Sequence, residues 1–334
     1  MSSKTTQPAK EISRRQFLAA TAALGGWALL GGSLAWAATP KQSLTIATGG
    51  TGGVYYPYGG GIAAVVSKNL PGVEVTAEVT AASVDNCKLV GAGKSDLGFC
   101  MADTAYDAFA GLGKFKNKLP LATVAVLYAS YMHVVTVADK GIKGVADLRG
   151  KTVSTGAPGS GTEVKALRVL EAYGINPDKD IKRDRLGASE SGGALKDNKI
   201  DAFFWDGGVP TASIMDLAAT PGLTMLLLDH ADCLPKLTEK YGPVYFPKTI
   251  SKEVYMGQKQ DVAVAGVGNL LLCNQKAKPE LIHDILKTMF EHHADLVAIH
   301  KEALSLTFKD AVVGSPLPFH PGAVKFFQEK GVKV

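Results

Sequence analysis

Cysteine is scarce in this chain: four in 334 residues, at positions 87, 100, 233 and 273. None has the close pair spacing of a zinc or dithiol redox motif, so neither kind of centre is encoded locally. No Gly-x-Ser-x-Gly elbow and no His-Glu-x-x-His pair occurs. His283, His292 and His293 fall on one expected helix, but adjacent histidines point to different faces, so no metal site is expected there. A nucleophile, a base and an orienting group do not assemble from these residues, and neither an enzyme nor a cofactor is expected. Basic blocks are missing as well, which argues against nucleic-acid binding, because affinity for phosphate backbones needs clustered positive charge. Beyond the first forty residues the longest apolar runs, such as Leu223–Leu228, have the length of strands rather than of membrane spans.

The N-terminus is what stands out. Ser13-Arg-Arg-Gln-Phe-Leu precedes a weakly hydrophobic, Gly- and Ala-rich stretch to Leu34, which ends in Ala35-Trp36-Ala37. A basic start, an apolar middle and a small-x-small end make an export signal. Paired arginines ahead of Phe and Leu point to the twin-arginine route and a periplasmic location. Cleavage is expected after Ala37; the alternative is an uncleaved anchor. The formal charge of +5 comes from 36 basic and 31 acidic residues. Removing Lys4, Lys10, Arg14, Arg15 and Glu11 with the signal leaves 32 and 30, close to neutrality.

From Ala38 onward short β-rich runs alternate with helical patterns, the signature of an α/β fold. Leu44–Thr48, Val73–Val79 and Asp96–Cys100 are predicted strands. Helices are predicted after Pro57, at Val84–Gly91 behind Ser83 as N-cap, and from Thr104. A second set begins near residue 140, with strands at Lys151–Ser154, Ile181–Leu186 and Ile200–Trp205 and a helix at Glu163–Tyr173. Asp261–Asn274 is long and apolar enough to carry the chain back to the first set. Pro279–His300 reads as one amphipathic helix. Two lobes are therefore expected, residues 38–135 with 262–334 and residues 136–261, each a mostly parallel sheet flanked by helices. Cys87 and Cys100 fall at the same end of one unit, either bridged or as two buried thiols.

Each lobe opens with a glycine loop at the carboxyl end of its first strand. In Thr48-Gly-Gly-Thr-Gly-Gly-Val-Tyr-Tyr-Pro, glycines let a ligand approach backbone N–H groups. No Walker ending follows, and Gly50, Thr51, Tyr55 and Tyr56 are candidates for a pocket wall around a small ligand. In the second loop, Gly159, Ser160, Gly161 and Thr162 lead into a helix, whose first turn offers free N–H donors and a positive dipole end to an anion. Ser83 and Asn86 open another helix, and Asp103, Trp205 and Asp206 follow strands. These residues are either ligand contacts or caps and packing.

Five blocks resemble the TAXI family of solute receptors. They are TGGTGGVYYPYGGGIA at 48–63, AASVDN at 81–86, DLRGKTVSTGAPGSGTE at 147–163, IDAFFWDGGVPT at 200–211 and PFHPGAVKFFQEKG at 318–331. The resemblance implies the two-lobed periplasmic-binding-protein fold, type II-like. It further implies a monomer that delivers a small organic anion, such as glutamate or another dicarboxylic or keto acid, to the permease subunits of a TRAP transporter. The chain departs from the family at Cys100-Met-Ala-Asp and at Asp206. A charged Asp206 would favour a ligand ammonium over a second carboxylate. Readings from other classes are an exported enzyme acting on a phosphorylated or carboxylated small molecule, and a ligand-sensing partner of a sensor kinase.

Overall fold

The computed structural model describes residues 42–334; the expected export segment, 1–37, lies outside them. In chain order the first elements are β1 (Gln42–Ala47), α1 (Tyr55–Asn69), β2 (Val73–Glu78), α2 (Ser83–Gly91), β3 (Leu97–Met101) and α3 (Ala102–Ala110). Then come β4 (Leu121–Val137), β5 (Thr152–Ser154), α4 (Gly161–Ala172), β6 (Lys182–Asp184), α5 (Ala188–Lys196), β7 (Ala202–Gly207) and α6 (Ala212–Ala218). The remainder is β8 (Met225–Leu227), α7 (Leu234–Tyr241), β9 (Tyr245–Ile250), β10 (Val262–Asn274), α8 (Pro279–Glu291), α9 (His293–Ile299) and α10 (Pro321–Glu329).

The strands form one sheet in the order β2-β1-β3-β10-β4-β7-β5-β6, with β8 beside β4 and β9 beside β10. Its two wings, β2-β1-β3 and β7-β5-β6, are parallel. The expectation of mostly parallel sheets holds for the wings but not for the centre. There β4 and β10 run antiparallel to each other and to the strands they adjoin, β10 to β3 and β4 to β7. The reason is that β10 brings the chain back. Residues at its C-terminal end pair with β3, while Val262–Val267 pair with β9.

Burial follows position in the sheet. At the edge, β2 alternates buried Val73 and Val75 with exposed Glu74 and Thr76, as a half-covered strand does. Inside, β3 is buried along its whole length, which is why it reads as an unbroken apolar run. One face of the first wing packs Leu44, Ile46, Phe99 and Leu271 beneath Tyr58 of α1, Leu286 of α8 and Phe327 of α10. On the other face a single core joins Val84, Cys87 and Leu272 to Val153, Val169 and Phe204, so it belongs to both wings.

The predicted helix over 279–300 is two helices. His292, at φ −111° and ψ 28°, leaves the helical region, and α9 starts at the next residue. The apolar period continues across the break because Met289 and Leu296 enter the same core, so periodicity alone could not mark it. Cys87 and Cys100 are free, fully buried thiols whose Sγ atoms lie 3.2 Å apart.

Candidate functional site

The two glycine loops face each other across a cavity of about 440 Å³, inside the usual range for small-molecule sites. Of the expected residues, Gly50, Thr51, Tyr55, Ser83, Ser160, Gly161, Thr162, Trp205 and Asp206 line it. Tyr56, Asn86, Asp103 and Gly159 do not, and each has another role. Tyr56 points outward and is 36% exposed. Asn86 donates through Nδ2 to the carbonyls of Thr48 and Phe99, at 2.6 and 2.8 Å, and so holds the carboxyl ends of β1 and β3 together. Asp103 accepts a hydrogen bond from the Tyr245 hydroxyl at 2.7 Å, beside Arg168.

Gly159 joins the walls rather than lining them. Its carbonyl accepts from the N–H groups of Val84 and Asp85 at 3.0 and 3.3 Å. A φ of +85° aims it there, and a Cβ would sit 2.8 Å from Asp85 Oδ1. The first N–H groups of α2 are thereby engaged, which leaves the start of α4 as the donor end facing the cavity. Ser83 does not cap α2; Ala82 holds that position, at φ 79° and ψ −143°, a conformation that costs a non-glycine residue energy. The Ser83 hydroxyl instead accepts from the N–H of Met101 at 3.2 Å.

At α4 the N-cap is Ser160. Its Oγ accepts from the N–H of Glu163 at 3.0 Å and donates to the carbonyl of Ala157 at 2.7 Å. With that hydroxyl engaged, the N–H groups of Gly161 and Thr162 are the donors without a partner among the described residues. Gly161 is needed where α4 meets the other wall: a Cβ would lie 2.5 Å from Met101 Sδ and 2.7 Å from Ser83 Oγ. The Thr162 hydroxyl accepts from the N–H of Asp206 at 3.2 Å and fixes the helix start to β7.

Sequence reasoning missed Lys165. Its ammonium lies 2.6 Å from Asp206 Oδ2, with both side chains fully buried, and donates to the carbonyl of Ala265 at 2.9 Å. Ser130 donates to the other Asp206 oxygen at 2.5 Å. Burial pushes the Asp206 carboxyl up, and the neighbouring ammonium pulls it back down. The expectation that Asp206 recruits a ligand ammonium is therefore corrected: its charge is already answered inside the protein. Lys165 and Arg168, one turn apart on a helix with an otherwise apolar face, were the available signal.

Two lining residues were also missed. Arg185 is exposed, and its Nε donates to Glu163 Oε1 at 2.6 Å. Tyr128 is 3% exposed, and its hydroxyl has no hydrogen-bond partner among the described residues. Tyr55 donates to Asn269 Oδ1 at 2.5 Å. Burial holds both phenols well above the ordinary tyrosine range, so they remain protonated. Trp205 donates through Nε1 to Thr211 Oγ1 at 3.0 Å, which sets the plane of its ring against the loop at Gly53.

Below the Trp205–Gly207 wall, Glu302 Oε1 accepts from the N–H of Val209 at 2.8 Å. Burial raises this carboxyl to about 7, against the N–H of Val209 and Lys248, which both lower it. Tyr58, Tyr128 and Tyr255 feel its charge, and His300 accepts from its N–H.

The architecture is the α/β fold of periplasmic binding proteins, a mixed sheet with flanking helices and a cavity between two glycine loops. Residues 46–331 match the NMT1-like family, and the chain belongs to it. It is similar in fold to the malate-bound MatC protein of Rhodopseudomonas palustris, with a TM-score of 0.54 and 14% identity over 86% of this chain and 96% of that one. Other similar structures include a putative L-cystine ABC transporter from Listeria monocytogenes (TM-score 0.49, 14% identity, 79% and 97% covered). Another is the periplasmic aliphatic sulphonate binding protein of Escherichia coli (0.43, 14%, 87% and 83%). Among the described residues no helix is long and apolar enough to cross a membrane, and no cluster of His, Cys, Asp and Glu fit to hold a metal occurs.

Two outcomes follow for stability. Lys165→Met strands a buried carboxylate and lowers stability by about 3–5 kcal/mol. The double variant with Asp206→Asn loses less than the sum of the two single losses in urea denaturation; strict additivity would show that the pair is not coupled. Glu302 binds its proton more tightly folded than unfolded, so its contribution is complete below about pH 4.5 and is lost as pH rises through about 7. His133 and His230, held near 4 by burial, act in the opposite sense on the acid side. The melting temperature of the parent relative to Glu302→Gln therefore falls between about pH 5 and about pH 8; a constant difference would contradict the assignment.

Proposed function

We propose that this protein is an extracytoplasmic solute receptor, which binds a small organic anion in the cavity and hands it to a membrane permease. The observation that carries the reading is the start of α4. Two unpartnered N–H groups, at Gly161 and Thr162, and the Arg185 side chain meet at a cavity walled by both halves of the fold. A helix N-terminus of this kind suits a carboxylate or another oxyanion. Each charge-assisted contact contributes about 1.5–3 kcal/mol, so two or three supply about 3–9 kcal/mol before ordering costs, and burial of the ligand's body supplies the remainder that a micromolar site, at about 8 kcal/mol net, requires. Gly50, Thr51, Tyr55, Ser83 and Tyr128 form the opposing wall, with Trp205 and Asp206 beside α4. In this reading the protein holds its ligand and does not transform it.

The finer points rest on the resemblance to TAXI receptors. They are a TRAP-type permease as partner, a monomeric receptor, export by the twin-arginine route to the periplasm, and an anion from the class of amino, keto and dicarboxylic acids. The lobes are residues 38–135 with 262–334, and residues 136–261. They close about two crossover segments, near residues 131–137 and 261–269, and the closed, loaded form docks with the permease. Membership of the NMT1-like family and the binding-protein fold support this receptor class.

The test is thermal denaturation of the purified protein against panels of organic anions. A ligand raises the melting temperature in a concentration-dependent way. Gly161→Val, which drives a side chain into Ser83 and Met101, reduces that shift at least tenfold in ligand equivalents while the far-ultraviolet spectrum is kept. Turnover of a bound anion by the purified protein, or indifference to every anion tried, would defeat the receptor reading.

A further inference from the structure

The charges around the cavity are unevenly distributed. The ionisable acids and bases of its lining are Arg185, Glu190 and Asp206. Both Asp206 oxygens are taken, one by Lys165 at 2.6 Å and one by Ser130 at 2.5 Å. Glu190 is exposed in the first turn of α5, where water screens it and its attraction for an ammonium is worth little. Positive charge is in excess at one place only. Beside the start of α4, three cations face two carboxylates: Glu163 meets Arg183 at 2.5 Å, Arg185 at 2.6 Å and Lys114 at 4.0 Å, and the exposed Asp178 meets Arg183 at 3.4 Å. Elsewhere the lining is neutral: Met101, Trp205, Leu186 and the phenols of Tyr55 and Tyr128. The Tyr128 hydroxyl, on a side chain 97% buried by its 3% exposure, has no partner within the described residues and lines the same space.

We infer that the cargo is a monoanion with an uncharged body: its one acidic group sits at Gly161, Thr162 and Arg185, and a neutral oxygen on its body meets the Tyr128 hydroxyl. This deepens the receptor reading above and rests on it. A second carboxylate would enter a region without a cation and lose its hydration there with nothing to replace it. A neutral hydroxyl contact returns only a small part of that loss. An ammonium would be repelled by the same field that seats the anion and would find Asp206 already paired. Dicarboxylates and zwitterionic amino acids are thus rejected on charge, although the cavity has room for them.

Calorimetric titration of the purified protein with three sets of probes decides the matter. The monoanions are 4-methyl-2-oxopentanoate, octanoate and 4-hydroxybenzoate; the dianions are succinate and 2-oxoglutarate; the zwitterions are L-glutamate and L-leucine. At least one monoanion is expected to bind tenfold or more tightly than every dianion and zwitterion. Arg185→Gln, a change at an exposed position that leaves the core intact, weakens that monoanion at least tenfold. Tyr128→Phe weakens an oxygen-bearing monoanion about fivefold and leaves octanoate unchanged. A dianion or zwitterion that binds as tightly as the best monoanion overturns this inference and leaves the receptor reading standing. If no probe of any set binds, the receptor reading falls and the inference falls with it.

Discussion

An ammonium and a carboxylate 2.6 Å apart, neither touching solvent, hold the centre of this molecule together. Lys165 comes from α4, Asp206 from β7, Ser130 from β4, and the Ala265 carbonyl from β10. Four elements of distant sequence thus share one polar contact. Burying two ions costs several kcal/mol each, so the pair adds little net stability over apolar residues of similar size. What it does is exclude other arrangements, because any shift of α4 along β7 would leave a bare charge in the interior. The start of α4, with its free N–H groups, is consequently fixed relative to the sheet, and the Thr162 hydroxyl on the Asp206 N–H reinforces the same register.

The rest of α4 repeats the device. Glu163, in its first turn, is held by Arg183 and Arg185. Arg168 bonds Asp107 of α3 at 2.5 Å and the Tyr245 hydroxyl of β9 at 2.8 Å, and its guanidinium lies over the Tyr241 ring of α7. One helix is therefore oriented by ionised groups along three sides, and each is answered by a different element. Such a helix has little freedom to roll, which is the preorganisation that the proposed anion site would require. The exposed pairs elsewhere, such as Lys199 with Asp197, contribute little by comparison.

Local chemistry was legible in the sequence and long-range pairing was not. The glycine loops, the strands that precede them and the helix they open were readable because each depends on a few consecutive residues. Ser160 and Thr162 stood out as candidates for an anion site for the same reason; the Ser160 hydroxyl is engaged, and the N–H groups of Gly161 and Thr162 are those without a partner among the described residues. Asn86 and Asp103 looked like ligand contacts because polar residues after strands often are. In this fold they complete hydrogen bonds to distant elements, Asn86 with the carbonyls of Thr48 and Phe99 and Asp103 with the Tyr245 hydroxyl. Lys165 escaped notice because its partner is 41 residues away and on another element. Tyr128 escaped because β4 is buried on both faces, so its mostly apolar sequence shows no alternation that would mark one residue as facing a cavity.

Where the wings meet, the strand pairing itself constrains motion. β4 and β10 stay hydrogen-bonded from Leu121 with Asn274 to Tyr131 with Gly266, and the register slips at Asn269/Leu270 and at Leu271/Leu272. Rotation of one wing against the other has to be absorbed near those irregular points, since regular ladder cannot bend without losing bonds. Tyr128 lies at the first of them, paired with Asn269, which takes the hydrogen bond from Tyr55. Tyr128 is therefore a cavity residue on a strand that would have to flex. Contacts that join the walls at the cavity are few and mostly neutral: Gly159 with Val84 and Asp85, and Ser213 with Gly52. Each is worth about 0.5–1.5 kcal/mol, whereas a charge-assisted ligand contact is worth about 1.5–3. In the receptor reading proposed above, an anion touching both walls would add its contacts to these neutral ones and to the charged pair of Arg168 with Asp107, and would thereby favour the closed arrangement.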